Sequence, residues 1–586
     1  MERWTLLRKG ADFAGIGKKY GISPRLACLI RNRDVIGDAS IERYLNGTIV
    51  DLYDGMLMKD MGKAIDILRE KIADGKRIRI IGDYDIDGVN ATYILLEGLE
   101  KAGAVADSDI PDRITDGYGL NVDLIERAYR DGIDTLVTCD NGIAAAEEIA
   151  YGKHLGMTII VTDHHEVPYT EEDGQKTYLL PPADAVIDPK QPGCAYPYKG
   201  LCGAAIAYKV VEALTEAMGA DASDLDYLIE NVAIATVGDV MDLEDENRIF
   251  VKEGLQMLRR THSYGLNALI ECTGVEKERL NAYHIGFVLG PCMNAGGRLD
   301  TAKRTLRLLR AAGKKEADIL AGDLKALNDS RKDLTDVAVE KAKHQVEATG
   351  MLADRVLVIY LPDCHESLAG IVAGRIRETY YRPVLVLTDS ECAVKGSGRS
   401  IDAYNMYEEL SRCKELLLRF GGHKLAAGIS LERNNVEKLR LMLNENCVMT
   451  PEDLMEKVTI DMELPFSCVS ESLVQELSLL EPFGKGNTKP VFAARNVELL
   501  SGRILGRNKN VLKMQVRDTT HTTMEALLFR GVEEFLEYLE QKYGKPAVHS
   551  FLNGKDGGMS VSVTFYPDIN EYRGRITPQI VITHYR

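Results

Sequence analysis

The chain has 586 residues, 45% of them hydrophobic and 27% charged, a composition expected of a soluble globular protein with several domains. No apolar run approaches the roughly 18–20 residues that span a bilayer. The opening Met1-Glu2-Arg3-Trp4-Thr5 has no apolar signal-peptide core. Eleven cysteines without a Cys-x-x-Cys pair argue against a zinc ribbon and against a disulfide scaffold, so a reducing cytoplasm is the expected home. The formal charge of −17 argues against general nucleic-acid binding, although partners respond to local patches rather than to the total.

Residues 1 to about 50 are mixed, carry several basic groups and predict a small helical lead-in. Residues 60 to 75 predict an amphipathic helix, with Ala64, Ile67, Leu68 and Ile72 at helical spacing. Ile78, Ile80 and Ile81 then predict a buried strand. It runs into Gly82-Asp83-Tyr84-Asp85-Ile86-Asp87-Gly88, and Ala91 to Leu99 predicts a helix. Three acids at alternate positions repel one another. They suit either a solvated Asp-rich turn or a cation site. The loop lacks the spacing and terminal Glu of an EF-hand. Ile110-Pro111-Asp112-Arg113 and Gly117-Tyr118-Gly119 mark a loop.

Three more apolar runs end in Asp. Thr135 to Thr138 leads to Cys139-Asp140-Asn141-Gly142, Met157 to Thr162 to Asp163-His164-His165, and Ala185 to Ile187 to Asp188. If these strands are parallel, the acids converge on one sheet edge, where open α/β sheets place ligands. Adjacent histidines on extended chain point to opposite sides, so one could bind metal while the other contacts substrate or a neighbouring ligand. Val232 to Val237, strand or helix, leads to Asp239, a further candidate ligand.

From about 245 to 350 the pattern is helical and charged, with Gly290-Pro291-Cys292-Met293-Asn294-Ala295-Gly296-Gly297-Arg298 embedded in it and a long connector over about Glu316 to Thr349. The β–α rhythm restarts with a strand at Arg355 to Tyr360, a helix at Ser367 to Thr379 and a strand at Pro383 to Leu387. Gly396-Ser397-Gly398-Arg399-Ser400 and Gly421-Gly422-His423 then combine small residues with cationic or ionisable ones, which suits an anion cradle, a hairpin or a loop. From about 455 the runs are short and β-like. Between Gly484 and Lys513 lie Lys485, Lys489, Arg495, Arg503, Arg507, Lys509 and Lys513 against the single acid Glu498, a candidate nucleic-acid face on a small barrel.

Asp oxygens with imidazole suit Mn²⁺ or Mg²⁺. Several carboxylates around one pocket suggest two cations roughly 3.5–4 Å apart, bridged by one Asp, as suits hydrolysis of a phosphoester or phosphoanhydride.

Asp163-His164-His165, Asp83-Tyr84-Asp85-Ile86-Asp87-Gly88 and Cys139-Asp140-Asn141-Gly142 together resemble the signatures of the DHH phosphoesterase superfamily, and Gly421-Gly422-His423 resembles its DHH-associated domain. The loop at 110–119, Asn294-Ala295-Gly296-Gly297-Arg298 and Gly396 to Ser400 resemble the RecJ single-stranded-DNA exonucleases. The last segment, with Glu481-Pro482-Phe483-Gly484-Lys485-Gly486-Asn487, resembles that family's oligonucleotide-binding (OB) barrel. Gly296 stands where the family more usually has Ala, and Cys364-His365-Glu366-Ser367 lacks its usual tryptophan.

The resemblance implies an α/β fold: a parallel-sheet DHH domain and a second α/β DHH-associated domain joined by a long helix, then an OB-like β-barrel. The implied division is a lead-in at 1–59, the DHH catalytic domain at 60–245, a helical connector at 246–350, the substrate-binding DHH-associated domain at 351–452 and the OB-like domain at 453–586. Asp83, Asp85 and Asp140 would hold one divalent cation, and Asp87, Asp140, His164 and Asp239 the other. His165 would lie close to substrate, Arg113, Arg298, Ser397 and Arg399 would bind a terminal 5′ phosphate, and His423 would face the scissile phosphate. Asp85, Asp87, Asp140, His164, His165 and His423 are the implied catalytic set, and Lys485, Lys489, Arg503, Arg507 and Lys509 the implied DNA contacts. The implied activity is 5′-to-3′ hydrolysis of single-stranded DNA to mononucleotides in repair and recombination. A monomer working with a helicase and a single-strand-binding protein is expected. The alternative is a DHH phosphodiesterase of short oligonucleotides or cyclic dinucleotides.

Overall fold

The strands that end in aspartate are neighbours in one sheet. A computed structural model describes residues 2–113, 116–117, 119–172, 175–390, 393–506 and 510–586, so Tyr118, Arg507 and Lys509 lie outside the described residues. Strands β1 (Arg77–Ile81), β2 (Val105–Asp109), β3 (Thr135–Cys139), β4 (Thr158–Thr162) and β5 (Ala185–Ile187) form a sheet in the order β2-β1-β3-β4-β5. Every pairing in it is parallel. The central β3 is buried at all five positions, which is why it is apolar and β-branched without alternation. The register sets Ile81 beside Thr138, Cys139 beside Thr162 and Thr162 beside Ile187, so the residues after each strand end share one edge.

Helix α1 (Ile86–Lys101) leaves the acidic turn at once. Asp85 caps it, accepting from the Asp87 and Gly88 N–H groups at 2.9 and 3.1 Å. It packs with α2 (Gly203–Ala217) and α3 (Ile229–Gly238). The Val232–Val237 run is thus helical. Ile229 to Thr236 are buried throughout, and an apolar run buried on all sides carries no periodicity to separate helix from strand. A hairpin of Tyr169–Glu172 and Gln175–Tyr178 interrupts the path from β4 to β5, a feature that the sequence reading does not anticipate.

Helix α4 (Gly290–Leu299) carries the glycine-rich run to Arg298, and α5 (Lys314–Ala348) is the long connector. Ala338, Val339, Ala342 and Val346 of α5 share a core with Leu357, Ile359, Val372 and Ile376 of the next α/β layer. There β6 (Leu357–Tyr360), α6 (Ala369–Tyr380), β7 (Val384–Asp389), β8 (Val394–Arg399), β9 (Leu417–His423) and β10 (Ala426–Leu431) follow in sequence. The sheet order is β9-β10-β8-β7-β6, with only β6 and β7 parallel. Both glycine-rich pieces are therefore strands, β8 and β9, flanking β10.

These layers form one compact unit, chiefly Tyr53–Met241 and Glu253–Glu456; the second unit is Arg3–Leu52, Asp242–Lys252 and Lys457–Arg586. In the second unit β11 (Met462–Glu463), β12 (Phe492–Leu505), β13 (Val511–Arg517), β14 (Thr523–Leu528), β15 (Met559–Tyr572) and β16 (Arg575–Tyr585) run in the order β11-β12-β13-β14-β16-β15. A β12–β15 pairing closes five of them into a barrel. The fold class is the expected one: two α/β domains joined by a long helix, and an OB-like barrel. The amino-terminal helices belong to the barrel's core, where Leu26, Leu29, Ile30 and Tyr44 pack with Phe466, Phe492 and Phe565. Among the described residues no helix is long and apolar enough to cross a membrane.

Candidate active site

The carboxyl edge of the first sheet gathers the acids. Asp83, Asp87, Asp140 and Asp163 are buried, Asp85 is half-buried, and Asp239 closes the group from the end of α3. Ligand atoms of Asp83, Asp85 and Asp140 lie within 4.8 Å of one another, and so do those of Asp87, His164 and Asp239. Asp140 also falls in such a group with His164 and His165. His164 Nε2 is 3.0 Å from Asp140 Oδ1, 3.6 Å from Asp87 Oδ2 and 3.9 Å from Asp239 Oδ2. The two expected ligand sets are thus brought together, with Asp140 in the middle.

The backbone is shaped for this crowding. Asp140 holds φ 59°, a left-handed conformation uncommon for a non-glycine residue, and Val240 beside Asp239 holds φ 57°. Gly203 is a close approach: a Cβ there would come within 2.7 Å of the Asp140 Cβ. Without that Cβ, the first N–H groups of α2 reach Asp87, Gly203 at 2.6 Å and Ala204 at 2.8 Å.

Burial, then Asp85, pushes the Asp83 carboxyl well above the carboxylate range, and the same causes raise Asp87 to about 7. Burial and then Asp87 raise Asp140. Packed this way these three carboxyls oppose their own ionisation. Asp83 Oδ1 is a buried acceptor without a hydrogen-bond partner. An oxygen-rich, electron-rich pocket of this kind fits hard divalent cations.

The two histidines differ. Burial, then His165, lowers the His164 ring to about 3, so the ring is neutral and could donate to a metal. His165 is 45% exposed. Burial works against its charge, but the 2.7 Å contact of its Nδ1 with Asp163 Oδ1 prevails and holds it at about 9. Asp163 is a positioning residue absent from the expected set. It also accepts from the Ile143, His164 and His165 N–H groups at 2.9, 2.7 and 3.2 Å. Its signal was present as the acid of Asp-His-His. Asp188, at the end of β5, is buried with Oδ2 lacking a partner, and burial raises it to about 7.

A second cluster adjoins the acids. Arg113 lies over the Tyr84 ring at 4.9 Å. Gly297 approaches so closely that a Cβ would stand 2.3 Å from the Tyr84 carbonyl oxygen, which brings Arg298 to the acidic turn. Arg298 donates to the Ser367 carbonyl at 2.9 Å. Burial first, then Arg113 and Arg331, lowers its guanidinium from the ordinary value. Arg399 donates to Ser397 Oγ at 3.2 Å and to the Gly398 carbonyl at 2.8 Å, and burial, then Arg377 and Arg113, lowers it too. Among the described residues none of Arg113, Arg298 and Arg399 has a carboxylate within ion-pair distance. Arg331 of α5, held to Asn328 at 3.0 Å, is a further guanidinium here. Its place inside a long charged helix gave no sequence signal. His423 is exposed at the end of β9, and no hydrogen bond or ion pair among the described residues ties it to the acids.

In the barrel Lys485 faces Asp242 at 3.5 Å, and Lys489 lies 3.6 Å over the Tyr566 ring. Lys513 pairs with Glu525 at 2.8 Å and Arg517 with Glu498 at 2.6 Å. Arg503 is exposed opposite Lys513 in the β12–β13 register.

Three family models match: the DHH family N-terminal domain over residues 77–236, the DHHA1 domain over 353–448 and the RecJ OB domain over 460–584. The chain is 34% identical over 585 residues to the single-stranded-DNA-specific exonuclease RecJ of Bacillus subtilis, covering 99% of this chain and 70% of that one. Against the RecJ of Escherichia coli the identity is 30%, with 96% and 95% covered. The crystal structure of Thermus thermophilus RecJ in complex with Mn²⁺ matches with a TM-score of 0.81 at 27% identity, covering all of this chain and 79% of that one. Its Mg²⁺ complex matches with a TM-score of 0.75. On its motifs, its acid-lined sheet edge and its full-length relatives, the chain belongs to the RecJ family of single-stranded-DNA-specific exonucleases.

Proposed function

We propose that the chain is a metal-dependent exonuclease that digests single-stranded DNA from a phosphorylated 5′ end, releasing mononucleotides. The observation that carries this reading is the junction at Tyr84. Its neighbours Asp83 and Asp85 belong to the acid cluster, while its ring and carbonyl meet Arg113 and Gly297. Phosphate-binding and acidic groups therefore sit one side chain apart.

Two divalent cations, Mn²⁺ or Mg²⁺, would be held by Asp83, Asp85 and Asp140, and by Asp87, Asp140, His164 and Asp239. When bound they stabilise charge on the phosphoryl oxygens and provide a nucleophile at neutral pH. The protein's own groups do the rest. Arg113, Arg298 and Arg399 present guanidinium forks to a terminal phosphate, and Ser397 adds a hydroxyl. Holding that end at a fixed distance from the acids sets the polarity and the single-nucleotide step. His165, charged at neutral pH and steered by Asp163, donates to a phosphate oxygen, and His423 reaches the same phosphate from the second sheet. We assign catalysis to 60–245, the connector to 246–350, phosphate binding to 351–452 and single-strand binding to the barrel of 453–586, with residues 3–52 of the lead-in in the barrel's own unit.

The enzyme acts as a monomer in the cytoplasm, in DNA repair and recombination. A helicase and a single-strand-binding protein would supply its substrate. The test is digestion of a 5′-phosphorylated single-stranded 30-mer with Mn²⁺, labelled in turn at each end, beside duplex DNA and a dinucleotide. Stepwise mononucleotide release from the 5′ end, with duplex spared and Asp140→Ala inert, supports the reading. Turnover of the dinucleotide alone would move the chain to the short-oligonucleotide phosphodiesterases.

A further inference from the structure

We propose that the stacked rings of Tyr283 and Phe287 form a base-stacking platform for the single strand, on the far side of the acid cluster from the arginine pocket. The inference rests on the single-strand reading above. The two rings lie 4.9 Å apart at 26°, one helical turn apart in sequence. They are 58% and 68% exposed. Single exposed aromatics are ordinary on a protein surface, but two large rings stacked outward offer a flat apolar face ready for a third. A nucleobase is that third ring, because every base has such a face regardless of sequence.

The location selects this occupant. Phe287 lies in a π-helical segment, Ile285–Leu289, that runs without a break into α4 and so to Arg298. Such segments are rare and gather at functional sites. Three glycines fix where this rod passes. A Cβ on Gly297 would meet the Tyr84 carbonyl at 2.3 Å, one on Gly290 the Ile86 side chain at 3.2 Å, and one on Gly286 the Val237 side chain at 3.5 Å. Tyr84 and Ile86 flank Asp85, and Val237 lies just before Asp239 in the chain. The rod therefore lies along the acids, with Arg298 at one end and Phe287 at the other. A strand anchored by its 5′ phosphate at Arg298 and cut at the acids leads on to Phe287. The rise from Phe287 to Arg298 is about 16 Å at about 1.5 Å per residue. That length is at most about five nucleotides at a stacked rise of about 3.4 Å, and fewer where the strand is stretched. The platform thus holds the part of the strand that stays bound after each cut.

The test uses the full chain with Mn²⁺ and 5′-phosphorylated oligonucleotides of two and eight nucleotides. Phe287→Ala is expected to raise KM for the octamer about 10-fold, in the range of one lost base stack, with kcat nearly unchanged and dinucleotide kinetics untouched. Phe287→Trp restores the octamer KM. In wild type, 2-aminopurine placed at successive positions is quenched at a single position between the third and fifth nucleotides, and Phe287→Ala releases that quenching. Equal octamer kinetics for Phe287→Ala and wild type would overturn the proposal, as would an equal loss on both lengths, which would mean damage to the acid cluster. A wild-type chain inactive on every single strand would instead overturn the function reading, before any variant is compared.

Discussion

Two regions of this chain concentrate cations, and they differ in what surrounds the charge. The barrel run from Lys485 to Lys513 is dense in sequence, yet Lys485 and Lys513 face Asp242 and Glu525, and Lys489 covers Tyr566. Arg113, Arg298 and Arg399 come from segments far apart in sequence. They are half-buried and form no ion pair with a carboxylate among the described residues, and burial, then neighbouring guanidinium groups, lowers Arg298 and Arg399. Guanidinium groups kept together and short of counter-charge can take up an anion, whereas an exposed paired lysine is already screened. Local charge density in a sequence is therefore a weaker guide to a phosphate site than the pairing of each charge.

Single substitutions should separate the two regions. The largest effect belongs to the acids facing the arginines: Asp140→Ala should lower turnover by about 10³-fold or more, the scale of losing a main electrostatic element of a site. Arg298→Ala should cost about 10- to 100-fold in kcat/KM on a 5′-phosphorylated strand, as expected for a lost charge-assisted bond. It should cost far less on a 5′-hydroxyl strand. Asp163→Asn, which loosens His165, should cost about 10-fold, with metal affinity measured alongside to separate orientation from ligand loss. Lys513→Ala should change single-strand affinity less than about 3-fold, because it is already paired. Arg503→Ala, with no such partner among the described residues, should lower the salt slope of binding by about one. If Lys513 proves as costly as Arg298, the contrast fails.

A buried acid away from the site gives the smallest effect. Glu230 is buried with Thr261 Oγ1 as its partner at 2.9 Å, and burial raises it to about 7. A carboxyl whose folded pKa lies above its unfolded value binds its proton more tightly when folded. Its contribution is complete below the unfolded value and is lost as pH rises through about 7. Glu230→Gln should therefore raise Tm at pH 8 relative to wild type by on the order of a few °C, and less at pH 5.

The acid edge was legible because β–α alternation and strand-end position are local patterns. Ile78 to Asp87, Thr135 to Asp140 and Thr158 to His165 each announce strand, turn and ligand within a few residues. Gly396 to Ser400 suggested an anion cradle locally, but the pocket as one site was legible only through resemblance, since nothing local to Arg113, Arg298 or Arg399 says that they meet. Arg331 gave no signal at all inside a charged helix. The glycine-rich strands β8 and β9 stayed ambiguous with loops because glycine hides the alternation that marks a strand. The partners of the barrel cations, Asp242, Glu463 and Glu525, lie outside the window in which those cations were counted. The lead-in's place in the barrel core depends on contacts such as Tyr44 Oη to Asn487, across more than four hundred residues.

The most direct test of the account is kcat/KM on one 30-mer bearing either a 5′ phosphate or a 5′ hydroxyl, for wild type and Arg298→Ala. Wild type should favour the phosphate by about 10- to 100-fold, the value of one or two charge-assisted bonds, and Arg298→Ala should remove most of that preference. Equal rates for the two ends in wild type would contradict the assignment of the unpaired arginines to the terminal phosphate.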